Sequence, residues 1–130
     1  MSGNALLKLL IVDDHAAVRR TLRQSFDASE VTILEAGSGE EAVELFAAEH
    51  PDWVIMDARL PGMSGLQATR AIRHLDPRAR IIAISQFTDA EYIDEIRRAG
   101  ALTFVSKEEL SRLPQIICRP EIPSSKNQQP

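Results

Sequence analysis

Five short aliphatic runs punctuate the chain, and a helix-like pattern follows each of them. The runs are Leu6 to Val12, Val31 to Ala36, Trp53 to Met56, Arg80 to Ile84 and Leu102 to Val105. Each is short and bounded by polar or turn-forming residues, which reads as a strand buried on both faces. Between them, apolar residues recur at helical spacing. Val18, Leu22 and Phe26 do so within Ala16 to Phe26. Ser38-Gly39-Glu40-Glu41 reads as a capping box that opens a second helix, carrying Ala42, Val43, Leu45, Phe46 and Ala47 and ending near Pro51. Pro61 to Gly65 reads as a loop, and Leu66 to Leu75 as a helix stopped by Asp76-Pro77. Thr88 to Glu91 is a second capping box, before a helix that Gly100 ends. Ser106 to Glu109 is a third. Strands alternating with helices over short links imply right-handed crossovers, a parallel sheet and helices on both faces.

The final helix is the weakest of these patterns. Pro114 interrupts it, and a proline past the first turn costs a helix about 3 kcal/mol. The expectation is one turn at Glu108 to Arg112 and then a short helix starting at Pro114. After Arg119 the chain reads PEIPSSKNQQP, a polar, proline-containing stretch expected to be disordered. The resulting division is an extension over residues 1–5, one domain over 6–118 and a tail over 119–130. There is no internal repeat.

Composition narrows the function. With 44% apolar and 26% charged residues, the chain fits an ordinary globular domain. A net charge of −4 supplies no basic field for nucleic acid. The single cysteine, Cys118, excludes an internal disulfide and fits a reducing, cytoplasmic setting. No run approaches the roughly 20 apolar residues that span a bilayer, and the N-terminal segment lacks the features of a signal peptide. His15, His50 and His74 fall on separate elements without ligand spacing, so surface or helix-end roles are expected of them.

The chemistry sits where the runs end. In an open parallel sheet, ligands bind at the carboxyl ends of the strands. Asp13 and Asp14 close the first run, Asp57 the third, Ser85 the fourth, and Lys107 follows the fifth. Residues ninety positions apart thus converge on one spot. Each aspartate alone is read most simply as a helix cap; together with Ser85 and Lys107 they read as a site. Three carboxylates in one place repel, so either some stay protonated or a cation offsets them. Oxygen ligands without His or Cys favour Mg²⁺, or Mn²⁺ in its place. Asp57 precedes a loop and is the most approachable of the three. A carboxylate can attack phosphorus to give an aspartyl phosphate, with Lys107 and the Ser85 hydroxyl contacting phosphoryl oxygens.

At these residues the chain resembles the receiver domain of two-component response regulators. The matching segments are IVDDH (Ile11 to His15), DWVIMDARLPGMSG (Asp52 to Gly65), IIAIS (Ile81 to Ser85) and AGALTFVSK (Ala99 to Lys107). The resemblance covers residues 6 to 118. It implies a flavodoxin-like (βα)5 fold with strand order 2-1-3-4-5. It implies Asp57 as phosphoacceptor, with Asp14 binding Mg²⁺ directly, Asp13 mostly through water, and the Arg59 backbone carbonyl as a further ligand. It implies Ser85 as a switch hydroxyl and Phe104 as a switch aromatic, although Phe104 also reads as simple core packing. Phosphorylation by a histidine kinase or phosphotransfer protein would then remodel the surface of the fourth helix, fifth strand and fifth helix, toward a downstream protein, an output domain or a homodimer. Self-catalysed phosphorylation and slow hydrolysis are implied, not turnover of a metabolite.

The chain departs from the family pattern at three positions. Glu108 stands where many receivers have Pro, Thr103 where Gly is frequent, and Gln86 where a small residue is commonest. Gln86, with Arg59 and Phe87 flanking the same opening, is expected to narrow access to Asp57; equal phosphorylation rates in Gln86→Ala and wild type would remove that idea. Three other functions fit less well. An Asp-nucleophile phosphohydrolase needs a second Asp where Arg59 stands. In a flavodoxin-like carrier the acidic cluster would repel a flavin phosphate. A phosphorylation-independent docking module is the remaining alternative, against which every required residue is present. No DNA-binding region follows the domain, so the expectation is either a stand-alone regulator or a receiver from a longer protein.

Overall fold

Aliphatic residues occupy both parities of the strands, so each strand needs a cover on both faces. The computed structural model describes residues 6–86 and 90–118 and supplies those covers. The strands are β1 (Leu7–Val12), β2 (Val31–Ala36), β3 (Trp53–Asp57), β4 (Ile81–Ser85) and β5 (Thr103–Ser106). The helices are α1 (Ala16–Gln24), α2 (Gly39–Glu49), α3 (Gly65–Leu75), α4 (Ala90–Ala99) and α5 (Leu113–Ile117), with a 3-10 segment at Lys107–Arg112. All strand pairs are parallel, in the order β2-β1-β3-β4-β5. This is the flavodoxin-like arrangement expected above.

Period-2 alternation splits the core in two. Leu10, Val12, Val54, Met56 and Ile81 face Ala42 and Phe46 of α2 and Ala68 and Ile72 of α3. Leu9, Ile11, Ile55, Ile82 and Ile84 face Leu22 of α1 and Leu113 and Ile117 of α5. A smaller cluster joins Ala58, Ala83, Ile96 and Ala101, with Phe104 and Tyr92 packed against it. Phe104 is therefore in contact with core residues, as its packing reading requires.

Most boundaries match the sequence reading to within a residue or two. Helix α1 stops at Gln24, yet Phe26 still reaches the core, 7% exposed, through the turn that follows. Two capping boxes form only in part. The Ser38 hydroxyl accepts from the Glu41 N–H, but the Glu41 carboxylate reaches past the cap and accepts from Gly37 N–H. The Ser106 hydroxyl accepts from Glu108 rather than Glu109. Glu109 leaves helical geometry there (φ −125°, ψ 33°), so the Lys107–Arg112 segment is kinked at that residue rather than one continuous turn. Among the described residues a complete capping box forms between Ser64, the last-but-one residue of the segment read as loop, and Gln67 of the helix that follows. Thr88 and Asp89 of the expected α4 box, Phe87, and the tail from Arg119 lie outside the described residues. Pro114 takes the second position of α5, where its missing N–H costs little.

Candidate functional site

Strand register assembles the site. Val12 pairs with Met56, which sets Asp13 level with Asp57. Asp57 pairs with Ile84 and Ser85 with Ser106, so Ser85 and then Lys107 stand one step further each. Strand β1 lies between β2 and β3, where chain order reverses, and this is where an open α/β sheet leaves a crevice. Asp13 and Asp57 continue the parity of Ile11 and Ile55, and Lys107 that of Val105, so all three belong to the α1/α5 face. Lys107 is two strands from Asp57, about 10 Å laterally. Only a long side chain spans that gap.

It does span it. Lys107 Nζ lies 2.9 Å from Asp13 Oδ2 and 3.2 Å from Asp57 Oδ2. The side chains of Asp13, Asp57 and Lys107 are 0%, 3% and 13% exposed. The other Asp57 oxygen, Oδ1, accepts from the Arg59 N–H at 3.0 Å. Ser85 is buried and borders the same cleft of about 320 Å³ with Asp57, Arg59, Gln86 and Lys107. Gln86 is exposed at its edge. Asp14, not Asp57, is the most exposed of the three carboxylates, its side chain 29% exposed against 3% for Asp57. Asp57 lies at a strand end under Lys107, which corrects the expectation that it is the most approachable.

Sequence reasoning placed His15 at a helix end, and it is the N-cap residue of α1. It missed the contact that follows. His15 N–H donates to Asp13 Oδ1 at 2.9 Å, and its Nδ1 lies 3.3 Å from both Asp13 Oδ1 and Asp14 Oδ1. The adjacency of the three residues was the available signal. Also missed was Arg19, which donates to the Asp13 carbonyl at 2.6 Å and to Glu35 at 2.9 Å, tying the aspartate turn to α1 and β2. Arg23 pairs with the same Glu35.

Electrostatics follow from burial. The Asp57 carboxyl is raised from 3.8 to about 6: desolvation pushes it up and Asp13 adds to this, while the Arg59 N–H and Lys107 oppose the rise without cancelling it. Burial on its own lowers the Lys107 ammonium, but the contacts with Asp13 and Asp57 overcome this and leave it above the ordinary lysine value. Burial holds the Tyr92 phenol high, while the neighbouring Arg59 guanidinium pulls it down.

The oxygens suit a hard cation. Asp13 Oδ2 is fully buried and has no well-aligned hydrogen-bond donor, because Lys107 approaches it as an ion pair of poor hydrogen-bond geometry. The Lys107 ammonium supplies charge there without a directed hydrogen bond, so this oxygen keeps coordinating capacity that a hard cation or its bound water can use. Ligand atoms of Asp13, Asp14 and His15 lie within 4.8 Å of one another. The donor chemistry is predominantly carboxylate, as Mg²⁺ prefers. The residues present therefore fit such an ion.

The family model for the response regulator receiver domain matches residues 9–117. The chain belongs to the response regulator receiver family. Among its relatives, the transcriptional activator protein ExaE of Pseudomonas putida is 40% identical over 101 residues, covering 76% of this chain and 47% of that protein. Sporulation initiation phosphotransferase F of Bacillus subtilis is 31% identical over 100 residues, 77% of this chain and 81% of that protein. The receiver thus spans about half the length of ExaE and most of phosphotransferase F. Among solved structures, the CheX-CheY-BeF3-Mg²⁺ complex from Borrelia burgdorferi superposes with a TM-score of 0.75 at 29% identity, covering 85% of this chain and 88% of that one. Among the described residues, no helix is long and apolar enough to cross a membrane.

Proposed function

We propose that this receiver accepts a phosphoryl group on Asp57 from a histidine kinase or phosphotransfer protein. The observation that carries this reading is the Asp13–Lys107–Asp57 arrangement: a buried carboxylate at the mouth of a cleft, held by one ammonium and flanked by a second carboxylate. In the transfer, an Asp57 oxygen forms a bond to phosphorus while the P–N bond of the donor phosphohistidine breaks. The electron pair of that bond leaves with the imidazole. Hydrolysis later places a water oxygen on phosphorus and returns the carboxylate. Asp57 must be ionised to attack, and with its carboxyl near 6 it is mostly ionised at neutral pH.

Asp13 and Asp14, with Asp57 and the Arg59 carbonyl, would hold Mg²⁺ or Mn²⁺. When bound, such an ion offsets charge developing on the transferring phosphoryl group. The chain's own groups do the rest. Lys107 is already 3.2 Å from Asp57 and can follow the negative charge onto a phosphoryl oxygen. The Ser85 hydroxyl borders the cleft and can donate to another. Gln86 at the rim restricts approach.

The output is a change of surface. Ser85 ends β4, and Phe104 on β5 packs with Ala83 and with Ile96 of α4. Movement of the hydroxyl toward a phosphoryl group would relax that packing and shift the α4-β5-α5 surface between two states. A downstream protein, an output domain or a second receiver would read it. The test is chemical mapping. After incubation with acetyl phosphate and Mg²⁺, borohydride reduction of the acyl phosphate should convert Asp57, and neither Asp13 nor Asp14, to homoserine. Conversion at another aspartate overturns Asp57 as the acceptor, and conversion at none in folded protein overturns the reading and favours a phosphorylation-independent docking module.

A further inference from the structure

Arg59 borders two clefts at once. It lines the Asp57 cleft beside Ser85 and Lys107. It also lines a shallow groove between the β3–α3 loop and α4, beside Tyr92 and Glu95. Its guanidinium carbon sits 4.8 Å from the centroid of the Tyr92 ring. Tyr92 is itself anchored, packing with Phe104 against Ala58, Ala83 and Ile96. Glu95, three residues along α4, adds a negative charge to the same groove. A cation adjoining the phosphoacceptor is thus held by an aromatic of another element.

Resting on the reading of Asp57 as acceptor, we propose that Tyr92 is a positioning residue: it holds the Arg59 guanidinium on α4 until a phosphoryl group on Asp57 competes for it. The Arg59 N–H is 3.0 Å from Asp57 Oδ1, so a phosphoryl group built there comes within reach of a re-oriented arginine side chain. A phosphoryl dianion and a guanidinium attract strongly and pair with good geometry. Tyr92 holds the same cation more weakly, by the quadrupole of its ring and by a hydrogen bond to its hydroxyl oxygen. Competition of this kind is reciprocal. Phosphorylation strips Arg59 from α4 and exposes the Tyr92 face, and a partner that covers Tyr92 in the released state stabilises the phosphorylated form. One side chain then links the reaction centre to the α4 surface, independently of the Ser85 hydroxyl.

The sign of the effect follows. The Arg59–Tyr92 stack exists only in the unphosphorylated state, so removing it favours the loaded state. The experiment titrates fluoroberyllate, a phosphoryl mimic, with Mg²⁺ into the full chain. The variants are wild type, Tyr92→Leu, Tyr92→Phe, Arg59→Ala and the Arg59→Ala/Tyr92→Leu pair, each checked for folding by circular dichroism. Tyr92→Leu should bind about two- to fivefold tighter, the range of an exposed cation–π contact. Tyr92→Phe keeps the ring but loses the hydroxyl hydrogen bond to Arg59, and should fall between wild type and Tyr92→Leu. In the Arg59→Ala background the leucine should change nothing. The NMR resonances of the Arg59 side chain should show the ring-current shift of Tyr92 in the free protein and lose it on saturation. Unaltered affinity in Tyr92→Leu, an equal gain without Arg59, or a ring-current shift that survives saturation overturns the inference while leaving Asp57 as acceptor. Absence of binding to wild type overturns the acceptor reading, and the inference with it.

Discussion

Folding moves the Asp57 carboxyl up to about 6 because it takes the group out of water faster than Lys107 and the Arg59 N–H can compensate. The linkage has a definite sign. The folded value lies above the unfolded one, so the stabilising contribution is complete below about 3.8 and is lost as pH rises through about 6. At pH 8 the ionised carboxylate opposes folding by on the order of 3 kcal/mol. Asp57→Asn in metal-free buffer should therefore be more stable than wild type at pH 8, by about 1–3 kcal/mol in urea denaturation. The gap should close toward pH 4; a gap that is constant with pH contradicts the account. Lys107→Met should act in the opposite direction, costing about 3–5 kcal/mol at pH 8 because Asp13 and Asp57 lose their shared cation. Equal urea midpoints for Lys107→Met and wild type would contradict that. Asp13, Asp57, Ser85 and Lys107 were legible in the sequence because each ends or follows a strand, and strand ends converge. The burial difference between Asp13 and Asp14 was less so, since it depends on which parity points inward. The Arg59–Tyr92 contact was not legible, because neither period nor spacing says which side chains meet across elements.

Helix α3 begins hard against the end of β3. A β-carbon placed on Gly65 would stand 2.0 Å from the Asp57 carbonyl oxygen and 2.7 Å from the Ala58 Cα. Both are backbone atoms and cannot yield without moving the strand end that carries Asp57. Gly65→Ala should therefore destabilise by about 1–3 kcal/mol, as overpacking does, and should slow phosphorylation by acetyl phosphate. Wild-type stability by urea denaturation would show that the loop has slack the structure does not suggest. The sequence marks the helix itself to within a residue, but Pro61, Gly62 and Gly65 read as loop, and that composition hid the role of Ser64 as the cap that pairs with Gln67. At Ser38 and Ser106 the Ser-x-x-Glu spacing was visible, but which N–H each side chain meets depends on how the chain enters the helix. Gly37 precedes Ser38, and its N–H takes the Glu41 carboxylate that the motif assigns to the cap.

At the scale of the molecule, strand-helix alternation was enough to specify a parallel sheet covered on both faces. It did not specify strand order, since any right-handed βα series alternates in the same way; order entered through the family resemblance. The order matters because it opens the crevice at β1 and β3 and makes the carboxylates neighbours. That crowding predicts that the fold is stabilised by the ion its oxygens fit. A ligand bound only by the native state adds about 2.7 kcal/mol at a hundredfold excess over its Kd, which for a domain of this size is about 10 °C in Tm. Thermal denaturation in saturating Mg²⁺ should show a rise of that order in wild type and little in Asp13→Asn. An equal rise in both would place the ion elsewhere. The central claim is tested most directly by intact mass after incubation with acetyl phosphate. The account predicts a gain of one phosphoryl group, ~80 Da, in wild type with Mg²⁺, and none with EDTA or in Asp57→Asn. A gain that survives either the chelator or the substitution would contradict it.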